Sequence, residues 1–213
     1  MTLDLTPDEL LSTTRAVRRR LDVDRPVERA VLEQCLRLAQ QAPNSRNSQP
    51  WHFVVVTDRD QVAQVAGVYQ RAKAGFLERQ RAEAEALPAG PERDAASATY
   101  QGRVEFSEKL ARMPAFIVPC VDASTDAGDG TTPGPWGSVI QAAWSFMLAA
   151  RARGLGTVWT TITPFQSELA EIIGIPHPDV LQAALIPVAY TKGTKFLPGP
   201  RPPLETFVHW DRW

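Results

Sequence analysis

Ala42-Pro43-Asn44-Ser45-Arg46-Asn47-Ser48-Gln49-Pro50-Trp51 joins an amphipathic helical run to the strand-like run 51–56. Five short hydrogen-bonding side chains (Asn44, Ser45, Asn47, Ser48 and Gln49) stand between its two prolines. Proline stiffens the backbone, so little entropy is left to lose on binding. Asn and Gln each present a donor and an acceptor from one side chain. A loop of this kind suits the polar edge of a flat heteroaromatic ligand. The plainer alternative is a capping loop between helix and strand.

Working outward, Thr6-Pro7-Asp8-Glu9 opens a helix, with Thr6 as cap, Pro7 in the first helical position and Glu9 closing a capping box. That helix is expected to reach about Arg15. Asp24-Arg25-Pro26-Val27 starts a second helix, on which Val27, Ala30, Val31, Cys35, Leu38 and Ala39 share a face. The 60–113 segment is rich in Ala, Arg, Glu and Gln and breaks at Leu87-Pro88-Ala89-Gly90-Pro91, which predicts a mostly solvated helical hairpin placed as a lid. A second strand at 115–121, a loop at 122–135 and an apolar helix over 139–150 follow, the helix capped by left-handed Gly154. Strands are expected at 157–161 and 183–190, with a short helix at 168–173 between them. The order predicts an α+β fold in one domain spanning residues 1–213.

Of the 213 residues, 44% are hydrophobic and 22% charged, an ordinary soluble composition. The net charge of −1 provides no global field, so no nucleic-acid or membrane partner is expected and any anion site must be local. The 139–150 run is shorter than the roughly 20 residues of a membrane span. A helix apolar on nearly every side needs cover on nearly every side, most simply from a second copy of the chain. Beyond Tyr190 there is no period, yet Phe196, Phe207, Trp210 and Trp213 occur there. An aromatic-rich tail docks rather than dangles, and a partner subunit is its natural seat. Cys35 and Cys120 fall in apolar runs and read as packed thiols. The first residues lack the blocks of a signal peptide, so a cytoplasmic protein is expected.

Arg15, Arg18 and Arg19 lie within five residues. Guanidinium forks at that density suit a phosphate monoester, a solvated basic patch being the alternative. Gly154-Leu155-Gly156 matches neither the P-loop nor the dinucleotide fingerprint. His52, His177 and His209 show no metal spacing, and no nucleophile elbow is present. No metal and no catalytic acid, base or nucleophile is assigned; such an enzyme leaves its chemistry to a cofactor.

These features together resemble the FMN-dependent nitroreductases. The anchors are Thr14-Arg15-Ala16-Val17-Arg18-Arg19, the 42–51 loop, Leu148 through Gly156, and Pro200-Arg201-Pro202-Pro203-Leu204. The resemblance implies a three-layer α+β fold with a mainly antiparallel sheet. It also implies an intertwined homodimer with FMN at the interface and the 191–213 arm exchanged between subunits. Arg15, Arg18, Arg19 and Arg201 correspond to the phosphate contacts, with Ala16 where many members carry Ser. Pro43, Asn44, Ser45 and Asn47 correspond to the segment that reaches the flavin from the other subunit. Ser138 stands near the cofactor, and Thr160 and Thr161 lie along the ring, where a backbone N–H points at N5. Arg46 takes a substrate-facing position, Thr161-Ile162 replaces a Glu-Gly pair, and Gly199 replaces a frequent Lys.

The activity so implied is ping-pong hydride transfer from NADH or NADPH to a small-molecule acceptor, a nitroaromatic or quinone. Relatives carry out dehydrogenation, dehalogenation or flavin breakdown. A flavin-storage protein and a cofactor-free helical interaction module are the non-enzymatic readings.

Overall fold

Thr13 and Thr14 turn their hydroxyls back onto the carbonyls of Glu9 and Leu10, at 2.6 Å each. Such back-bonding competes with helix continuation, and it ends helix α1 (Pro7–Thr13) two residues before the expected Arg15. The capping box at its start forms as expected: Glu9 N–H donates to Thr6 Oγ1 at 3.2 Å and Thr6 N–H donates to the Glu9 carboxylate at 2.8 Å. The computed structural model describes residues 2–122 and 133–213. Most of the loop expected at 122–135 therefore lies outside the described residues.

After α1 come β1 (Leu21–Asp22), α2 (Arg29–Ala39), β2 (Trp51–Val56), α3 (Arg59–Ala86), α4 (Pro91–Lys109) and β3 (Ala115–Asp122). Then follow α5 (Pro133–Ala152), β4 (Leu155–Thr157), α6 (Gln166–Ile173), β5 (Val180–Gln182) and β6 (Ile186–Thr191). Neighbouring strands run in the order β1-β6-β3-β2, with β4 beside β6 and β5 beside β3, and every pairing is antiparallel.

Period-two alternation along β3 divides the interior into two cores. Phe116, Val118 and Cys120 face Val62, Val65 and Tyr69 of α3, Phe106 of α4 and Leu169 of α6. Ala115 and Ile117 face Leu32, Cys35 and Ala39 of α2 and Ala143, Phe146 and Ala150 of α5. The result is the expected three layers, helices on both faces of one sheet.

Four expectations need correction. The buried stripe of α2 is Leu32, Cys35 and Ala39; Ala30 and Leu38 are exposed, so the helix is rotated relative to the face read from spacing. The first half of α3 is core rather than solvated, with Val62, Val65, Ala66 and Val68 fully buried. The strand expected at 157–161 is only β4, after which Thr160 makes a single bridge to Leu185. The 183–190 strand begins at Ile186, and β5 is a separate strand on the other side of β3. The outer stripe of α5 also departs from burial on nearly every side: Ile140 and Trp144 are 46% and 39% exposed. Among the described residues, no helix is long and apolar enough to cross a membrane.

Candidate functional site

The stretch after α1 is held extended by β4. Val17 N–H donates to the Thr157 carbonyl at 2.9 Å, and Ala16 pairs with Thr157 in a parallel bridge. Val17 is buried in the core, which leaves its neighbours Ala16 and Arg18 outward. Arg15, Ala16, Arg18, Arg19, Lys195 and Phe196 line a cavity of about 420 Å³ there.

The cations around this cavity have carbonyls and rings for company. Arg15 Nη1 donates to Leu197 O at 3.1 Å and Arg19 Nη2 to Ala98 O at 3.1 Å. Arg20 donates to the carbonyls of Lys192, Gly193 and Lys195 at 3.0, 2.6 and 2.8 Å, and its guanidinium lies 4.1 Å from the centre of the Phe196 ring. Arg151 approaches the same ring at 4.9 Å. Its side chain is 4% exposed, its only hydrogen bond goes to Thr13 Oγ1 at 3.2 Å, and its Nε and Nη1 are buried without partners. Burial, and then the charge of Arg20, hold the Arg151 pKa below its ordinary value. Arg18 makes no hydrogen bond or ion pair among the described residues.

Arg201 reaches the same place from the C-terminal arm. A Cβ built on Gly199 would lie 2.8 Å from Arg201 Nη1 and 3.3 Å from Arg15 Nη2. The two guanidinium groups thus close on one point, next to a residue with no side chain to obstruct them. No carboxylate pairs with Arg15, Arg18, Arg19, Arg20, Arg151 or Arg201 among the described residues. Like charges gathered without an acid repel one another. An anion of nearly two charges, such as a phosphate monoester, removes that repulsion and fits the guanidinium geometry.

The backbone continues from Thr157 to the other expected contacts. Thr160 is bound to Leu185 three times: its N–H and Oγ1 donate to Leu185 O at 3.1 and 2.5 Å, and Leu185 N–H donates to Thr160 O at 2.8 Å. The Thr160 hydroxyl therefore braces the chain rather than facing a ligand. Thr161 is exposed, and its N–H makes no hydrogen bond among the described residues. It borders a cavity of about 140 Å³ together with Trp136 and Gln182. Sequence reading missed Gln182, which is 5% exposed; its Nε2 donates to Gln166 O at 3.1 Å while its Oε1 is buried without a partner. Its one signal was a lone amide closing a short apolar strand.

The 42–51 loop is built from internal hydrogen bonds. Gln49 N–H donates to Asn44 Oδ1 at 3.0 Å, Ser45 N–H to Ser138 Oγ at 3.1 Å, and Ser138 Oγ to Gly134 O at 2.7 Å. Ser138 is 2% exposed, so it is a buried peg under the loop. Arg46, Asn47 and Gln49 hold φ of 54°, 53° and 49°. Asn tolerates the left-handed region; Arg and Gln rarely enter it unless their surroundings demand it. Pro43, Ser45, Arg46 and Asn47 are exposed. Among the described residues no hydrogen bond or ion pair joins this loop to the arginine group of the same chain. The structure brings together Arg15, Ala16, Arg18, Arg19 and Arg201 at one end, Thr160 and Thr161 along β4, and Asn44, Ser45 and Ser138 in a separate patch.

Other chemistry is sparse. His52 lies 3.2 Å from Asp122 on the surface of the sheet, and His209 stacks on Trp213. Among the described residues no group of His, Cys, Asp or Glu could hold a metal ion. Burial pushes the Cys35 thiol up to about 11 and Cys120 up to about 12, so both remain neutral thiols.

The nitroreductase family model matches residues 11–190. A protein of Archaeoglobus fulgidus, provisionally named NADH dehydrogenase/NAD(P)H nitroreductase, is 24% identical over 194 residues, covering 88% of this chain and 86% of its own. The 5,6-dimethylbenzimidazole synthase of Rhodospirillum rubrum is 32% identical over 152 residues, 69% of this chain and 65% of that one. Among solved structures, iodotyrosine deiodinase bound to FMN and 3-iodo-L-tyrosine superposes with a TM-score of 0.71 at 23% identity, covering 97% of this chain and 99% of that one. The three-layer fold and the match over residues 11–190 agree: the chain belongs to the nitroreductase family and is an oxidoreductase.

Proposed function

We propose that this protein is an FMN-dependent oxidoreductase that takes hydride from NADH or NADPH and reduces a small-molecule acceptor, a nitroaromatic or a quinone. The observation that carries the reading is the convergence of Arg15 and Arg201 on one point with no acid between them. When bound, FMN supplies the two-electron chemistry at its N5, as cofactors do in sites without a protein acid or nucleophile.

The chain's own residues bind and orient. Arg15, Arg18, Arg19 and Arg201 hold the phosphate, and buried Arg151 adds positive potential behind them. Ala16 keeps the wall beside the phosphate low. The free N–H of Thr161 donates toward the ring edge, held in place by the bonds between Thr160 and Leu185. Pro43, Asn44, Ser45 and Asn47 meet the ring of the neighbouring subunit, with Ser138 as their buried support and Arg46 turned to the acceptor.

A homodimer accounts for the surface of the single chain. Ile140 and Trp144 on α5 are open to solvent, as are Phe207, Trp210 and Trp213, which are 58%, 83% and 100% exposed. Aromatic area of that size is normally covered. In this reading the 1–213 chain is one domain, 191–213 is an arm exchanged with the partner, and the 60–113 hairpin closes over the site. A reduced-nicotinamide donor implies a cytoplasmic setting.

The test is anaerobic addition of NADH or NADPH to the flavin-loaded protein. Loss of the visible flavin absorbance, restored by a nitroaromatic or quinone, is expected. Bound flavin that neither nicotinamide bleaches would reject the donor and favour a second reading, another reaction on the same fold, to which the 32% identity with a dimethylbenzimidazole synthase points.

A further inference from the structure

We propose that the cavity between α3 and α4 is a binding site for a small aromatic anion, a single ring carrying a carboxylate. It lies beyond the arginine group described above and shares only Arg18 with it. Its volume is about 230 Å³, below the roughly 300–1,000 Å³ of sites for larger ligands. One ring with its charged group fits; a dinucleotide does not.

Three aromatic side chains form the walls. Tyr69 is 8% exposed and meets Phe106 edge-on, with ring centres 6.1 Å apart, so its plane is fixed. Phe76 is more open and offers a face for an entering ring. Three cations point into the same space. The Arg103 guanidinium lies 5.2 Å from the centre of Phe76 and Lys73 Nζ lies 5.8 Å from the centre of Tyr69. Arg18 and Arg103 both act on the Tyr69 hydroxyl, and Arg103 Nη1 is buried without a partner.

No carboxylate pairs with Arg18, Lys73 or Arg103 among the described residues, although acids are plentiful on these helices. On α3 itself, Arg81 is paired with both Glu78 and Glu85. Cations without acids are therefore a property of the cavity and not of the helix. Burial already holds the Lys73 pKa below its ordinary value, a cost that an incoming carboxylate offsets. Charge-assisted hydrogen bonds then fix the acid while Phe76 takes the ring. Resting on the function proposed above, the occupant is the acceptor: an aromatic acid that carries a reducible group.

The test measures binding, not turnover. Flavin-loaded protein is titrated calorimetrically with 4-nitrobenzoate, with uncharged 4-nitrobenzamide and with adenosine 2′-monophosphate. The carboxylate is expected to bind at least about 10-fold more tightly than the amide, the scale of one charge-assisted contact. In a Lys73→Met/Arg103→Met variant that preference should collapse towards unity while flavin content per chain is unchanged. The single Lys73→Met variant, at a partly exposed position, should show an intermediate preference and covers the case of a double variant that fails to fold. Equal affinities for acid and amide, a preference that survives both variants, or tighter binding of adenosine 2′-monophosphate would each overturn the proposal. Because the readout is affinity, a protein that discriminates the carboxylate but is not reduced by either nicotinamide upholds this site and rejects the donor.

Discussion

Two populations of arginine divide this molecule. On the outer helices Arg29 sits 2.8 Å from Glu33, Arg71 meets Glu168, Arg81 meets Glu78, and Arg112 meets Asp24. These pairs are solvent-exposed, and such pairs contribute little to stability. At the end of α1 and along the C-terminal arm, Arg15, Arg18, Arg19, Arg20 and Arg201 meet only carbonyls, one phenyl ring and one another. A net charge of −1 conceals this, because the acids that balance these cations lie elsewhere on the surface. Where charge is left unpaired, the partner to look for is a ligand.

The sharpest way to break the comparison is to remove the converging pair. Arg15→Ala with Arg201→Ala deletes two charge-assisted contacts worth about 1.5–3 kcal/mol each. FMN affinity should fall by about 10²–10⁴-fold in a fluorescence titration of the apoprotein; unchanged affinity would place the phosphate elsewhere. Next in size is screening. Raising salt from about 0.05 to 0.5 M should weaken FMN binding by roughly 3–10-fold, since the Debye length shortens several-fold over that range. Smallest is the effect on the empty protein. Arg15→Ala should leave its melting temperature unchanged or slightly raised, because a repulsion is relieved. Arg112→Ala should lower it by no more than about 2 °C, because an exposed pair is lost. A clear drop for Arg15→Ala in the apoprotein would mean that its bond to Leu197 O is structural first.

Much of this was legible beforehand. The capping box at Thr6, the break at Leu87 through Pro91, the left-handed caps at Gly154 and Gly174, and strands β2 and β3 all follow from local rules about φ, hydrogen bonding and period. The arginines and the polar loop could be named because charge density and proline-bounded polarity are one-dimensional signals. The rotation of α2 was not legible, since Leu38 and Leu32 are equally apolar and only the position of α5 decides which is buried. The burial of α3 escaped for a related reason: a weak apolar stripe gains its meaning from the sheet beneath it. Gln182 and Arg151 were missed because a buried polar group announces itself only when its partners are counted.

From the order of residues alone came the elements, the anchors of the family and the presence of an anion-seeking segment, because caps, breakers and clustered charge act over a few neighbours. Tertiary structure decided which of those charges lack a counterion. The meeting of Arg15 with Arg201 across 186 positions depends on β4 holding the first stretch extended and on Gly199 leaving room beside it. Long-range convergence arises from the packing of the sheet, and no local pattern encodes it.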